Sequence, residues 1–263
     1  MVAIDYPVRA MEIATWNVNS LRARLPRVLE FLERRRPDVV CLQETKVQDE
    51  LFPREELEGQ GYAVVAFGQK TYNGVAILSR RGIEDVVRGL PGDDEARVIG
   101  ATVGDVMLLD VYVVNGRSVG DPMYAHKLAW LERLAAFVRE RYDMGEKVIL
   151  TGDFNVTFDD RDVYDPERWR ERILCSTRER AALAGVMQVG LVDAFRKFHE
   201  EAGHYTWWDF RTRGFQRGNG LRIDHFLMSP PALAACTGVR VDLEPRRGEK
   251  PSDHAPVIAT LED

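Results

Sequence analysis

With 263 residues, 45% of them hydrophobic and 30% charged, the chain has the composition of a globular protein with room for a large core. No run reaches the roughly 18 apolar residues of a membrane span, and Asp5, Pro7 and Arg9 replace any apolar secretory core near the start. The net charge of −6 argues against a general polyanion binder, yet the basic side chains are 30 Arg against 6 Lys, a bias that suits bidentate phosphate contacts. Cysteines stand alone at 41, 175 and 236, with no Cys-x-x-Cys pair, which predicts a reducing cytoplasm rather than a disulfide framework.

Residues 1–10 read as a short extension and residues 11–263 as one domain. Residues 11–18 predict a strand. Ser20 is placed to cap a following helix, in which Leu21, Leu25, Val28, Leu29 and Leu32 recur at helical spacing. Pro26 then falls early in that helix, and Pro37 closes it. Residues 38–43 form a β-rich apolar run. Residues 62–67 and 74–79 predict a strand pair, as do 97–103 and 106–114 around a Gly104-Asp105 turn. A long helix follows, with Tyr124, Leu128, Leu131, Leu134, Ala135 and Val138 on its apolar stripe. Lys127, Glu132, Arg133 and Arg139 are assigned to its wet side. A buried strand over 147–151 ends at Gly152-Asp153. Residues 157–175 predict an ordered loop with short helices, 177–189 a helix, and 205–207, 222–228 and 257–261 three further strands. Hairpins with interspersed helices predict stacked sheets covered by helices, not a doubly wound sheet.

The polar residues that punctuate these strands carry the chemistry. Trp16-Asn17-Val18-Asn19, Leu42-Gln43-Glu44-Thr45-Lys46, Gly152-Asp153-Phe154-Asn155, Arg222-Ile223-Asp224-His225 and Ser252-Asp253-His254 each put acids or amides at what reads as a strand end. Any one of these is most simply a turn, a cap or an ion pair. All five together predict an oxygen-rich set gathered on rigid mounts, the donor chemistry that Mg²⁺ prefers. An Asp beside an amide can orient and deprotonate water, and a His beside an Asp can donate to a phosphate oxygen.

These segments, with Gly68-Gln69-Lys70, Leu221-Arg222-Ile223-Asp224, Trp207-Trp208-Asp209-Phe210-Arg211 and Lys250-Pro251-Ser252-Asp253-His254-Ala255-Pro256, resemble the exodeoxyribonuclease III branch of the abasic-site endonuclease family. The resemblance runs in order from residue 11 to about 261. It implies an α/β four-layer sandwich, two face-to-face mixed sheets flanked by helices, with the active site at one end. It also implies Mg²⁺, with Mn²⁺ as a substitute, and incision of double-stranded DNA 5′ to abasic sites. Processing of blocked 3′ ends, through 3′→5′ exonuclease and 3′-phosphatase activity, is implied as well. A monomer in the bacterial cytosol, associated with the nucleoid and not with a membrane, completes the expectation.

Residue by residue, Glu44 matches the family's principal metal ligand, with Asn17 beside it and Asn19 and Asp253 ligating through water. Asp153 matches the group that activates the attacking water, and Asn155 the amide that orients it. His254 matches the imidazole facing the phosphate, Asp224 its orienting carboxylate, and Tyr112 a phosphate contact. Val114 stands where the family usually has proline, so a less rigid loop is expected around Tyr112 and Asn115. Trp207, Leu221 and Ile223 are expected to enclose a sugar without its base. Arg22, Arg27, Lys46, Lys70, Arg97, Arg117 and Lys127 are expected on backbone phosphates. The rivals are a superfamily phosphatase acting on inositol phosphates, sphingomyelin or RNA, which needs no such enclosure, and a non-catalytic DNA-binding scaffold, which needs no complete set of catalytic groups.

Overall fold

A computed structural model describes residues 10–262, so all but the last residue of the expected N-terminal extension lies outside the described residues. One sheet is built from β1 (Met11–Asn17), β2 (Val39–Gln43), β3 (Ala63–Phe67), β4 (Val75–Ser79), β11 (Cys236–Val241) and β12 (Val257–Leu261). The other is built from β5 (Glu84–Arg88), β6 (Val98–Val103), β7 (Val106–Tyr112), β8 (Lys147–Asp153), β9 (Val192–Asp193) and β10 (Asp224–Met228). Their strand orders are β11-β12-β1-β2-β4-β3 and β5-β6-β7-β8-β10-β9. Both are mixed, with β1–β2 and β7–β8 parallel and the other neighbours antiparallel.

The helices are α1 (Leu21–Arg35), α2 (Arg54–Glu58), α3 (Pro122–Arg141), α4 (Pro166–Trp169), α5 (Thr177–Met187), α6 (Gly214–Arg217) and α7 (Pro230–Ala235). Period-two alternation sends the two faces of each central strand into different cores. Ile13, Cys41 and Ile77 meet Ile99, Leu108, Ile149 and Phe226 between the sheets. Ala14, Trp16 and Val40 pack on Val28, Phe31 and Leu32 of α1. Leu109, Val111 and Leu150 pack on Trp130, Leu131 and Leu134 of α3 and on Leu183 and Val186 of α5. The result is a four-layer sandwich. Strands buried on both faces explain the unbroken apolar runs of β2, β4 and β8.

Tertiary packing overrides the local pattern in several places. Ser20 makes no side-chain cap; it sits at φ 87°, and its amide donates to the Glu44 carbonyl. Tertiary pairing with the β2 end therefore starts α1. Residues 205–207 form no ladder, only isolated bridges from Trp207 to Leu221 and His254. The edge strands β5 and β11 were not legible: β5 is largely exposed and charged, as edges often are, and β11 is broken by a bulge after Cys236. Lys127 is wholly buried instead of solvated.

Register sets up the site. Asn17 pairs with Gln43 across β1 and β2, so both strands finish together, with Glu44 next in line. Asp224 opens β10, and His254 precedes β12; neither follows its strand as expected. Antiparallel pairing makes these starts equivalent to ends. Asp224 lies opposite Asp153, the last residue of β8, and β12 enters beside the outgoing end of β1. At Gly152 (φ 135°) a Cβ would come within 2.0 Å of the Val111 carbonyl oxygen. Only glycine lets β8 approach β7 that closely just before Asp153.

Candidate active site

The open end of the sandwich gathers Asn17, Glu44, Asp153, Asn155, Asp224 and His254. The Asn17 amide donates to Glu44 Oε1 and to Asp153 Oδ2, both at 2.9 Å, and so ties one sheet to the other. Asn155 follows in left-handed backbone (φ 51°), its own N–H on Asp153 Oδ1 at 2.9 Å. Its side-chain amide donates to the Val113 carbonyl at 3.0 Å, and its Oδ1 accepts from Asn115 Nδ2 at 3.0 Å. His254 Nδ1 lies 2.9 Å from Asp224 Oδ2, and its Nε2 lies 3.7 Å from Asp153 Oδ2. A carboxylate on Nδ1 fixes the ring and leaves Nε2 directed toward Asp153.

Burial alone would lower the His254 pKa, but the Asp224 and Asp153 carboxylates outweigh it and raise it to about 10. Burial pushes Asp153 up to about 7, against the pull of His254. Burial likewise raises the Tyr112 phenol, as do the neighbouring charges of Glu44 and Asp153.

Donor atoms of Glu44, Asp153 and His254 lie within 4.8 Å of one another. Two carboxylates held on a single neutral amide call for a cation between them. The Lys46 ammonium already sits 2.8 Å from Glu44 Oε2. Glu44 itself is held in left-handed backbone (φ 49°), the kind of strain that persists where the surroundings over-determine a residue. The Glu44 and Asp153 carboxylates are the hard oxygen donors that fit Mg²⁺ or a similar ion.

Asn19 and Asp253, expected to ligate through water, bond to each other beside that set. Asn19 Nδ2 donates to Asp253 Oδ1 at 2.9 Å and the Trp207 indole N–H to Asp253 Oδ2 at 3.0 Å, so both carboxylate oxygens are engaged. Burial raises the Asp253 pKa, but His254 and these two donors bring it below the ordinary range. Arg222 does not pair with Asp224; it binds Asp162 and Asp193 behind the site. Leu221 and Ile223 are fully buried with Val163, Leu174 and Cys175, and Ile173, Trp169 and Trp207 pack against them. They offer no open wall to a sugar, because the 163–175 segment has folded over them.

Of the expected phosphate contacts, Arg22, Lys70 and Arg117 are exposed. Arg27 pairs with Glu30 at 2.7 Å. Arg97 is buried on Glu95 and the Tyr112 carbonyl, its guanidinium 4.9 Å from the Tyr112 ring centre. Lys46 bridges Asn19 and Glu44. Lys127 donates to the Asn155 and Asn115 carbonyls and to Glu179. It braces the turn behind Asp153 and cannot reach DNA.

Lys127→Met is therefore expected to cost about 3–5 kcal/mol, since Glu179 is left buried and unpaired. It should slow turnover while the salt dependence of DNA binding keeps its slope. A slope reduced by about one phosphate contact would return Lys127 to the DNA surface.

Two further groups escaped the sequence reading. Ser252 donates to the Asn17 carbonyl at 2.7 Å and accepts the His254 N–H. The Thr206 hydroxyl accepts the N–H groups of Ile223 and Asp224, both at 3.1 Å. Ser252 had a signal in its place beside Asp253-His254; Thr206 had none, because a threonine among aromatics reads simply as β-former.

The chain matches the model of the endonuclease/exonuclease/phosphatase family over residues 14–254. It is 35% identical to exodeoxyribonuclease III of Haemophilus influenzae, covering 95% of this chain and 99% of the relative. Among solved structures it resembles a 3′-5′ exonuclease from Neisseria meningitidis, at 47% identity, TM-score 0.93, and 96% and 100% coverage of the two chains. The Neisseria protein has also been solved as a 3′ phosphatase bound to a product DNA hairpin. An AP endonuclease from Archaeoglobus fulgidus matches at 38% identity and TM-score 0.94, with 96% and 100% of the two chains covered.

Proposed function

Because the chain belongs to the endonuclease/exonuclease/phosphatase family, on its exodeoxyribonuclease III branch, and is a nuclease-type hydrolase, we propose that it is a Mg²⁺-dependent DNA-repair phosphoesterase. In this reading it clears blocked 3′ ends by 3′-phosphatase and 3′→5′ exonuclease action. The observation that carries the reading is the buried Asp153 set between an amide-rich turn and the His254–Asp224 pair.

Asp153 takes a proton from the attacking water, and Asn155 orients that water. His254, protonated at neutral pH and held by Asp224, donates from Nε2 to a phosphoryl oxygen as negative charge develops. Glu44, with Asn17 beside it, would hold Mg²⁺, which when bound would supply positive charge to the developing phosphoryl anion. Tyr112 supplies a further donor. Residues 11–263 act as one monomeric domain on double-stranded DNA in the bacterial cytosol.

Incision at internal abasic sites is the second reading, supported by the likeness to the archaeal AP endonuclease. The closed packing of Leu221 and Ile223 favours terminal phosphoryl groups over an internal, baseless sugar. The deciding experiment offers duplexes bearing a 3′-phosphate, a recessed 3′-hydroxyl or an internal abasic site, and an inositol phosphate, each with Mg²⁺ or EDTA. Metal-dependent release from the two 3′ ends, faster than abasic incision, is expected. DNA bound but never cut, or the inositol phosphate hydrolysed fastest, would remove the proposal.

A further inference from the structure

In the segment between β9 and β10, just before Tyr205 and Thr206, His199, Glu201 and His204 come together. The Oε1 of Glu201 lies 2.6 Å from His204 Nε2 and 3.8 Å from His199 Nδ1, and the three donor atoms are mutually within 4.8 Å. Tetrahedral zinc, with bonds of about 2.0–2.2 Å, separates its ligand atoms by about 3.3 Å. Only small side-chain adjustments lie between that spacing and this one. We propose that these three residues form a second metal site, of transition-metal class, for which Zn²⁺ is the fitting ion.

Three features make the cluster more than a surface ion pair. His199 Nε2 lies 2.6 Å from the Val239 carbonyl oxygen, which can only accept. The proton of the neutral ring is thus on Nε2, and the Nδ1 lone pair points at Glu201, the arrangement by which a backbone carbonyl orients a ligating histidine. Both imidazoles are also clamped by Phe195, whose ring centre is 4.4 Å from that of His199 and 5.4 Å from that of His204. The turn's backbone is tied down as well: Arg196 donates to the carbonyls of His199 and Glu201, and Arg161 to that of Glu200.

Two imidazoles and one carboxylate are the donor types zinc takes when a fourth position stays open to water, whereas Mg²⁺ prefers oxygen alone. Glu201 is the most exposed of the three, at 64% of its side chain. Binding replaces the His204–Glu201 hydrogen bond by two metal bonds. It would brace the segment that runs through Tyr205 to Thr206, whose hydroxyl holds the Asp224 amide.

The test uses chelator-stripped full-length protein in saturating Mg²⁺, titrated with Co²⁺ and then with Zn²⁺. Wild type is compared with His204→Asn and with Glu201→Gln, which alters only an exposed side chain. A visible Co²⁺ absorption saturating at one ion per chain, displaced by Zn²⁺, is expected in wild type. Each variant should bind at least tenfold more weakly, and excess Zn²⁺ should raise the melting temperature of wild type alone. No such absorption in wild type, or the same stoichiometry and affinity in all three proteins, would overturn the site.

Discussion

Asp153→Asn is expected to lower kcat by about 10²- to 10⁴-fold while DNA affinity stays near wild type. The carboxylate lies beside both Asn155 and His254, placed to take a proton from water there, and general-base contributions are of this size. A thousandfold loss corresponds to about 4 kcal/mol of transition-state stabilisation. The pH profile adds a signature. Asp153, raised to about 7, must be ionised to work, so kcat/KM should climb as pH rises through that value. His254, raised to about 10, must stay protonated, so activity should fall as pH rises through that value. In the variant the residual activity should lose its acid limb. Its alkaline limb should move down, because Asp153 is one of the charges that raise His254. Steady-state kinetics across pH, beside a binding titration, check this. Equal losses in affinity and turnover with an unchanged profile would make Asp153 structural.

Arg222→Met should be among the most destabilising single changes in the chain. The guanidinium is wholly buried and makes forked contacts to Asp162 (2.7 and 3.1 Å) and to Asp193 (2.7 and 3.2 Å). It also lies 4.9 Å from the Phe195 ring centre and donates to His225 Nδ1. Burial lowers the His225 pKa first and Arg222 second, to about 4, so this ring is neutral and accepts that bond. Removing the cation strands two carboxylates, although Arg196 still reaches Asp162. Breaking a buried pair from one side costs about 3–5 kcal/mol. For a chain of this size that is a fall in Tm of roughly 10 °C. Adding Asp193→Asn to Arg222→Met should recover part of the loss. A thermal melt lowered by less than about 2 °C would mean the network is solvated in practice.

Much of the architecture follows from local pattern. Apolar runs bounded by Gly, Pro and Asp mark the central strands, and the 3.6-residue stripe of α3 marks its buried face, because periodicity records which side meets a core. The same pattern exposes the chemical residues, since an acid or amide interrupting an apolar run stands out. Edge strands such as β5 stay hidden, because a solvated edge needs no apolar signature.

What pattern could not decide is pairing between distant segments. Lys127 sits at a plausible wet position of α3, yet α5 brings Glu179 against it and the Asn155 turn supplies carbonyls, so a cation is buried there. Arg222 stands two residues from Asp224, yet it precedes β10 and lies outside the regular pleat, so its side chain goes to Asp162 and Asp193 while that of Asp224 goes to His254. Leu221 and Ile223 read as pocket walls until the 163–175 segment closes over them. The sequence by itself determined which residue types are available at the strand boundaries, because hydrophobic burial dictates those boundaries locally. Only the tertiary structure decided which charge meets which, because a buried ion must find its partner wherever the register of two sheets happens to place one.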